Sequence, residues 1–311
     1  MRATVIGAGV IGLTTGIRLR EAGVDAHIVA AEPPADTVAS SMAGAIWYPY
    51  GDSAGTREAA WGRRSLEIFT ALAQGGTPGL VVRDMLELRY EPSPDPWWAD
   101  PALGYRRCEP VDLAGGYADG YIQQTVAIDV VPTLGVLEGR FRELGGTIEL
   151  RRLSRFADAT APGELVINCA GVGAGELAAD QLVHPIRGQV VRVRGEPVDR
   201  ITMVDGGPLG YAYVMPHSDE CVVGGTRQPG VWDRTPDDAV TEQLLETAAT
   251  LEPGLRNAEV IGVKVGLRPG RGEVRVEREG DVIHNYGHAG NGWSLSWGCA
   301  ETVVELATAP R

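Results

Sequence analysis

The sequence predicts an α/β fold that combines a doubly wound domain with a second, α+β domain built on a large antiparallel sheet. Three observations support this prediction. The first thirty residues run through strand, glycine-rich turn, helix and strand patterns. A clean helical repeat follows Asp129, with apolar residues spaced by four and three over 130–144. Residues 189–279 are rich in short strand patterns, with one helical interruption at about 236–251.

The opening turn has the pattern that binds phosphate groups in doubly wound folds. Residues 2–6 are typical of a buried strand, and a G-x-G-x-x-G motif follows at Gly7, Ala8, Gly9, Val10, Ile11 and Gly12. Gly7 allows the tight turn, Gly9 lets a pyrophosphate approach the backbone, and Gly12 lets the helix pack on the strand. Glu32, twenty residues after Gly12, can accept hydrogen bonds from a ribose. The motif predicts a Rossmann-like domain with a bound dinucleotide and leaves FAD and NAD open.

The composition excludes several classes of partner. The 311 residues carry 28 Lys and Arg against 41 Asp and Glu, a formal charge of −13. An acidic chain lacks the charge that sequence-independent nucleic-acid binding requires. No apolar run reaches the roughly 18–20 residues that span a bilayer, and no signal-peptide pattern opens the chain. We therefore expect no nucleic-acid partner, no membrane association and a cytoplasmic location.

The metal-binding and nucleophilic side chains are sparse. The four cysteines are widely spaced without a C-x-x-C pair, which argues against a zinc site and a disulfide framework. Lys264 is the single lysine, which argues against Schiff-base chemistry. His284 and His288 are four residues apart, but Gly287 and the missing third ligand argue against a metal site. We expect no bound metal.

The remaining elements follow in chain order. Small residues at 40–45 would let a second loop lie against a bound cofactor. Further helices are predicted at 57–74 and 293–307, and strands at 80–90, 147–150, 164–169 and 282–284. Within the strand-rich part, strands are predicted at 189–194, 211–215, 221–225, 259–267 and 273–278. Trp97 and Trp98, in an irregular proline-rich segment, are interpreted as packing residues.

The segment from His284 to Ser294 resembles the C-terminal signature of D-amino-acid oxidases. Other matching motifs stand in the same order along nearly the whole chain, at 5–13, 43–47 with 49–50, 167–171, 187–189, 213–216 and 266–269. The resemblance implies FAD as the cofactor. It also implies a discontinuous FAD-binding domain at 1–50, 125–188 and 265–311, and a substrate-binding domain at 51–124 and 189–264.

The resemblance assigns three residues to the substrate. Arg268 would bind the α-carboxylate with its two-pronged guanidinium, Tyr213 would reach the same carboxylate, and the carbonyl of Gly290 would accept from the amine. Besides the glycine motif, the implied FAD contacts are Glu32, Ser40, Ser41, Gly44, Ala45, Ile46, Leu153, Arg268, Gly290, Gly292, Trp293 and Ser294. Backbone N–H groups at 292–294, beginning the last helix, would face the flavin C2 carbonyl and stabilise the anionic reduced flavin.

Part of the implied substrate pocket departs from the family pattern. Relatives carry a second tyrosine on an active-site lid, where this chain has Leu209 without a gap, or Tyr211 if a gap follows it. The stretch 201–213 is shorter than in the mammalian enzymes, so we expect a more open pocket that accepts bulky D-amino acids. Ile46 and Tyr48 are also expected to face the substrate, and many relatives have glutamine at the position of Tyr48.

The predicted reaction is the oxidative deamination of a D-amino acid, with hydride transfer from Cα to flavin N5. Dioxygen would reoxidise the flavin, giving a 2-oxo acid, ammonia and hydrogen peroxide. The alternatives are a D-aspartate or glycine oxidase of the same fold, a flavin dehydrogenase with another electron acceptor, and a non-catalytic FAD-binding sensor. A homodimer is one expected assembly.

Overall fold

The computed structural model describes residues 1–34, 38–49, 55–113, 115–159 and 163–309. Tyr50, which belongs to one of the matching motifs, lies outside these ranges. The α-helices of the described residues are α1 (Val10–Glu21), α2 (Arg57–Gln74), α3 (Val130–Glu143), α4 (Ala174–Ala178), α5 (Asp238–Leu251) and α6 (Gly292–Thr308). Within the same ranges, no helix combines the length and apolar composition that crossing a bilayer requires.

The strands of the described residues form two sheets. In chain order the strands are β1 (Arg2–Ile6), β2 (Asp25–Ala30), β3 (Ala45–Ile46), β4 (Leu80–Arg89), β5 (Arg106–Arg107), β6 (Asp119–Ile128), β7 (Ile148–Leu150), β8 (Leu165–Asn168), β9 (His184–Arg194), β10 (Ile201–Asp205), β11 (Ala212–Pro216), β12 (Cys221–Gly224), β13 (Gln228–Pro229), β14 (Glu259–Gly270), β15 (Arg275–Glu279) and β16 (Val282–Tyr286). Mixed α/β architecture with one large sheet confirms the predicted fold class.

The smaller sheet has the strand order β15–β16–β8–β1–β2–β7. Its neighbours are parallel except β15 and β16. An apolar core joins the sheet to α1, α2, α3 and α6. Because parallel strands end at a common edge, the turn after β1 and the residues after β2 lie side by side, as ligand binding at such an edge requires.

The strand-rich run does not all belong to one sheet. β15 pairs with β16 in the register Glu279↔Val282, so the prediction of a single antiparallel sheet up to residue 279 is wrong at its last strand. The reason is local. Gly280 has a φ of +60°, which glycine adopts without strain, and the chain reverses there in a tight hairpin onto the smaller sheet.

The larger sheet has the order β13–β9–β12–β11–β10–β4–β6–β3, with β14 beside β9 and β5 beside β6. Its pairs are antiparallel except β4 with β10. One face packs on α5 through a cluster that includes Val191, Val214, Val223 and Leu244. The opposite face carries a cluster that includes Met85, Met203, Tyr213 and Met215.

Arg268 lies within β14. The strands predicted at 259–267 and 273–278 left it between them, so this prediction is wrong at the end of the first strand. The strand continues through Pro269, which pairs with Pro185 at the start of β9. Proline is tolerated here because β14 is paired along one side only, so a missing N–H can face outward. The extension fixes the direction of the Arg268 side chain through the sheet register.

Candidate functional site

A cavity of about 940 Å³ extends from the carboxyl ends of β1 and β2 to β14 of the larger sheet. It brings together many of the predicted site residues, which come from distant parts of the chain. Those in its lining are Gly7, Ala8, Gly9, Val10, Ile11, Glu32, Ser40, Leu153, Arg268, Gly290, Gly292 and Trp293.

The glycine turn has no room for side chains. Gly7 has a φ of +110°, and a Cβ there would lie 2.4 Å from the carbonyl oxygen of Cys169. A Cβ on Gly12 would lie 1.9 Å from the carbonyl oxygen of Gly7, so the first turn of α1 packs directly on the glycine turn. The N-terminal N–H groups of α1 therefore reach the cavity, where they favour an anion such as a phosphate.

A short 3₁₀ helix, Ala39–Met42, covers the start of α1. The hydroxyl of Ser40 accepts a hydrogen bond from the Val10 N–H at 3.1 Å, and the Ser40 carbonyl accepts from Trp293 Nε1 at 3.2 Å. Lys264 Nζ donates to the Ser41 carbonyl at 3.0 Å. These contacts hold the second loop between α1, α6 and β14, against the cavity where the small residues were expected to lie.

Two buried polar atoms in the cavity wall have no hydrogen-bond partner among the described residues. They are Nε2 of His288 and Oδ1 of Asn285. Burial lowers the pKa of His288 to about 3, so its ring is neutral at physiological pH. Such atoms are expected where a ligand completes the hydrogen bonding. Together with the glycine turn, the α1 N-terminus and the elongated volume, they fit a dinucleotide such as FAD.

A carboxylate in the same wall has its negative charge balanced by a neighbouring arginine. Arg271 Nε and the Tyr286 hydroxyl each donate to Asp180 Oδ2 at 2.8 Å. Burial alone raises the pKa of Asp180, but the hydrogen bonds from Arg271 and Tyr286 outweigh it and hold the pKa below its ordinary value. Asp180 therefore stays ionised and paired, which limits its repulsion of an anionic ligand.

Arg268 reaches the cavity over a glycine. Its Nη1 donates to the carbonyl of Thr226 at 3.1 Å. The guanidinium lies against Gly188, where a Cβ would be 2.2 Å from Nη1. The absence of a side chain at Gly188 thus makes room for a planar cation in the cavity wall, and this is the group best suited to grip a carboxylate with two hydrogen bonds.

Tyr213 projects from the same sheet face as Arg268. It pairs with Gly224, which pairs with Val190, and Gly188 stands two residues from Val190 on β9. Because cross-strand partners and residues two apart point to the same side, the phenol and the guanidinium share a face. Tyr213 is 3% exposed, and a Cβ on Gly224 would lie 2.2 Å from its hydroxyl oxygen. Tyr213 itself is not in the lining of the large cavity.

The turn that carries Gly290 is tied to the residue after Arg268. The N–H of Ala289 donates to the Pro269 carbonyl at 2.9 Å, and the N–H of Asn291 donates to the His288 carbonyl at 2.8 Å. Ala289 has a φ of +47°, which is uncommon for a residue with a side chain. Such a conformation persists only where its surroundings hold it, and here it keeps Gly290 in the cavity wall near Arg268.

Several predicted cofactor residues lie outside the cavity lining. They are Gly12, Ser41, Gly44, Ala45, Ile46 and Ser294. A Cβ on Gly44 would lie 3.0 Å from the Tyr213 ring, so this glycine makes room for the tyrosine. The Ser294 hydroxyl accepts from the Tyr48 N–H and donates to the Tyr48 carbonyl, both at 3.0 Å. Through these contacts Gly44 helps to position Tyr213, and Ser294 helps to position Tyr48.

A buried polar network stands beside Tyr213. The Tyr48 hydroxyl donates to Glu87 Oε2 at 2.8 Å, Tyr121 donates to the same oxygen, and Arg89 Nη2 donates to Oε1 at 2.6 Å. Glu87 is fully buried. Burial, with the neighbouring Tyr48 and Glu87, raises the pKa of Tyr121 far above its ordinary value, so its phenol stays protonated. The network fixes Tyr48, which also packs edge-on against Trp98 at 5.3 Å.

The two candidates for the lid tyrosine have different surroundings. Tyr211 packs edge-on against Tyr213, with ring centroids 5.8 Å apart. Leu209 packs into a cluster with Leu86, Leu88 and Val204, whose side chains point to the other face of the larger sheet. Tyr211 is therefore the candidate whose ring lies on the same side as the predicted substrate contacts.

The two histidines of the matching segment lie in different environments. His284 Nε2 lies 3.1 Å from Glu279 Oε2 on the hairpin partner of β16, whereas His288 lines the cavity. In the ranges that the structure describes, no three His, Cys, Asp or Glu side chains are arranged to hold a metal ion. The four cysteines are free, and burial raises the pKa of the Cys169 thiol in the cavity wall to about 12.

The cavity also contains residues that the sequence analysis did not assign to the cofactor or the substrate. Asn285, Tyr286 and His288 line it, and their place inside the matching C-terminal segment could have indicated this. Trp232 and Arg234 line it from a loop of the larger sheet. No local pattern in the sequence points to these two, because their position depends on how the loop folds back on the rest of the chain.

Comparisons with known proteins agree with this architecture. A family model described as FAD dependent oxidoreductase matches residues 2–306. The chain is 42% identical over 314 residues to the D-amino-acid oxidase of Rubrobacter xylanophilus, covering 99% of this chain and 96% of that protein. It is 31% identical over 325 residues to the D-aspartate oxidase of Homo sapiens, covering 99% and 94%. The crystal structure of glycine oxidase from Geobacillus kaustophilus matches with a TM-score of 0.83 at 20% identity, covering 98% and 94%.

The match of the family model spans nearly the whole chain, and so does the strong similarity to a D-amino-acid oxidase. The likeness to the solved glycine oxidase independently supports the two-sheet fold. The resemblance seen in the separated sequence motifs is therefore confirmed, and the chain belongs to the DAO family of FAD-dependent oxidoreductases.

Proposed function

We propose that this chain catalyses the oxidative deamination of D-amino acids, producing a 2-oxo acid, ammonia and hydrogen peroxide. One observation carries the proposal: Arg268 and Tyr213 share a face of the larger sheet, and the Gly290 turn is hydrogen-bonded to Pro269. These groups suit an α-amino acid, which has a carboxylate and an amine on neighbouring atoms. Similarity to a D-amino-acid oxidase at 42% identity supports the same substrate class.

In this proposal three groups of the protein bind the substrate. Arg268 grips the α-carboxylate with a charge-assisted, two-pronged hydrogen bond, and the Tyr213 hydroxyl donates to the same carboxylate. The neutral amine donates to the Gly290 carbonyl. A substrate held at both ends presents its Cα–H in one direction, and this positioning supplies much of the rate enhancement.

FAD, when bound, would supply the two-electron oxidising power for the Cα–H bond, with dioxygen as the final acceptor that yields hydrogen peroxide. Residues that would hold it are the glycine turn, Glu32, Ser40, Leu153 and the cavity-lining start of α6. No side chain has to remove a proton when the amine is already neutral. The imino acid then hydrolyses in water to the 2-oxo acid and ammonia, without help from the chain.

The charges on the substrate face favour a neutral substrate side chain. A D-aspartate oxidase needs a second cation for the side-chain carboxylate. Among the cations on this face, Arg89 is paired with Glu87 at 2.6 Å, Arg192 is paired with Glu220, and Lys264 donates to the Ser41 carbonyl. With these cations engaged, we propose neutral D-amino acids as substrates, and D-aspartate as a poor one, despite the 31% identity to a D-aspartate oxidase.

The proposal includes expectations that come from the sequence alone. Dioxygen as the electron acceptor, a cytoplasmic location, a homodimer and the division into two discontinuous domains remain predictions. A peroxide assay under air and under an artificial acceptor tests the first. Gel filtration with light scattering tests the homodimer.

A panel of D- and L-amino acids with a peroxide readout tests the activity itself. We expect peroxide with neutral D-amino acids, little with D-aspartate, and none with the L-enantiomers. Arg268→Ala should reduce transition-state binding by about 2–5 kcal/mol, because the substrate carboxylate loses its partner. This corresponds to a decrease in kcat/KM of roughly 30- to 4,000-fold. Arg194→Ala is the matched control, since Arg194 forms an exposed ion pair with Asp219. Peroxide from L-amino acids, or unchanged kinetics in the Arg268 variant, would refute the proposal.

A further inference from the structure

A loop of the larger sheet reaches the nucleotide end of the cavity. Residues 230–236 follow β13, and two of them, Trp232 and Arg234, belong to the cavity lining. Arg234 Nη1 lies 3.9 Å from Glu32 Oε1, and both side chains are partly exposed. Glu32 stands after β2 in the smaller sheet, so this ion pair connects the two sheets across the cavity.

The loop is fixed from behind by a buried arginine. Arg187 is 4% exposed and donates to the carbonyls of Asp233 at 2.9 Å and Thr235 at 2.6 Å. Gln189 Nε2 donates to the Asp237 carbonyl at 2.8 Å, and the Asp237 N–H donates back to Gln189 Oε1. The two carbonyls that flank Arg234 are thus held on the sheet. Arg234 and Trp232 therefore project from a segment that these hydrogen bonds hold in place.

The position of Glu32 identifies which end of a dinucleotide this is. In doubly wound folds an acid at the end of the second strand accepts hydrogen bonds from the adenosine ribose. Arg234 therefore stands at the adenosine end. The indole of Trp232, 61% exposed, offers a flat apolar surface of the kind on which purines stack.

We propose that Trp232 and Arg234 form a second wall of the adenosine end of the FAD site. Trp232 stacks on the adenine, and Arg234 orients Glu32 for the ribose while its positive charge attracts the pyrophosphate. Retention of FAD then depends on a loop of the larger sheet as well as on the glycine turn. The proposal concerns the cofactor only, so it stands or falls independently of which amino acid is oxidised.

FAD release from the holoenzyme tests the proposal. The equilibrium dissociation constant is measured from flavin fluorescence after serial dilution. Trp232→Ala is expected to raise the Kd for FAD about tenfold, and Arg234→Ala several-fold. Trp232→Phe should retain most of the affinity because it keeps an aromatic face. Val231→Ala is the matched control, since Val231 is exposed in the same segment but outside the cavity lining.

Binding of a second flavin, FMN, distinguishes the loss of a local contact to adenosine from a general weakening of the cofactor site. FMN lacks the adenosine monophosphate half of FAD but keeps one phosphate. The Kd of the full-length apoprotein for FMN should therefore be unchanged in Trp232→Ala, and in Arg234→Ala it should rise less than the Kd for FAD. Circular dichroism and the Tm of each variant verify folding, and Trp232→Phe and Arg234→Lys keep the test possible if an alanine variant fails to fold. An unchanged Kd for FAD in both alanine variants, or an equal loss of FAD and FMN affinity, would overturn the proposal.

Discussion

The guanidinium of Arg268 lies directly against Gly188, so closely that a methyl group at residue 188 would be 2.2 Å from Nη1. The two residues are on neighbouring strands, β14 and β9, and face the same side of the larger sheet. The glycine is therefore part of the proposed carboxylate-binding arrangement, although it has no side chain to contribute.

Gly188→Ala should displace Arg268 and raise KM more than it lowers kcat. Overpacking at a well-packed position costs about 1–3 kcal/mol, so we expect an increase in KM of roughly tenfold. Steady-state kinetics with a neutral D-amino acid measures it. Gly262→Ala, on the strand β14 that carries Arg268, is the control, because the nearest heavy atom to its new Cβ is Arg192 Nη1 at 3.9 Å. Equal KM values for the two variants would contradict the steric argument.

The lid position can be assigned by a pair of substitutions. Tyr211 packs on Tyr213, whereas Leu209 packs with Leu86 and Leu88 on the opposite side. Tyr211→Phe should raise KM about fivefold, the effect of losing one hydrogen bond worth about 1 kcal/mol. Leu209→Ala should leave KM unchanged and lower only the Tm. A larger effect on KM at Leu209 would show that it, and not Tyr211, replaces the family tyrosine.

Glu87→Ala should lower the free energy of unfolding by about 3–5 kcal/mol, because it leaves Arg89 and the Tyr121 hydroxyl without their buried partner. Urea unfolding of the FAD-saturated protein measures this. Glu149→Ala is the matched control, since Glu149 forms an exposed pair with Arg151 and its removal should leave the urea midpoint unchanged. A Glu87 variant as stable as this control would show that the network contributes nothing to the fold.

His288 should make the fold less stable as the pH falls. Burial lowers its pKa from 6.5 to about 3, so between these values the unfolded chain binds a proton that the folded chain does not. As far as His288 is concerned, the free energy of unfolding is therefore highest above about pH 6.5 and decreases progressively as the pH falls towards 3. The loss between pH 7.5 and 5.0 amounts to about 2 kcal/mol.

Comparing His288→Asn with the unmodified chain isolates this effect. Urea unfolding at pH 7.5 and 5.0 should show a smaller difference in the variant, while other histidines contribute equally to both proteins. His184→Gln, at an exposed histidine outside the cavity lining, is the control for the loss of a histidine. If His288→Asn keeps the full pH dependence, the ring is protonated in the folded state or exchanges with solvent.

Much of the nucleotide side of the site was accessible from the sequence. The glycine motif, the helix after it and Glu32 follow rules that depend on neighbours within about thirty residues, and all line or support one cavity. The order of the separated motifs also identified the family. For the same reason α2, α3 and α6 begin and end close to their predicted limits, since an apolar repeat is a local signal.

The substrate side was less accessible. Arg268 was expected between strands, but β14 continues past it. Pro269 pairs with Pro185 at the start of β9, and its missing N–H can face the unpaired side of β14. Strand β10 was not predicted at all, although it pairs with both β4 and β11. Its five residues carry too weak a pattern by themselves, and their strand character comes from two partners that are distant in the chain.

By itself the sequence determined the dinucleotide turn, the main helices and the family, because these depend on short-range spacing and on motifs kept in order. Only the tertiary structure decided that Tyr213 and Arg268 share a face, that Gly188 makes room for the guanidinium, and that Arg234 meets Glu32. Those relationships depend on strand register and on loops folding back across the cavity. Register is set by pairing between distant segments, and a shift of one residue would turn every side chain of a strand to the other face.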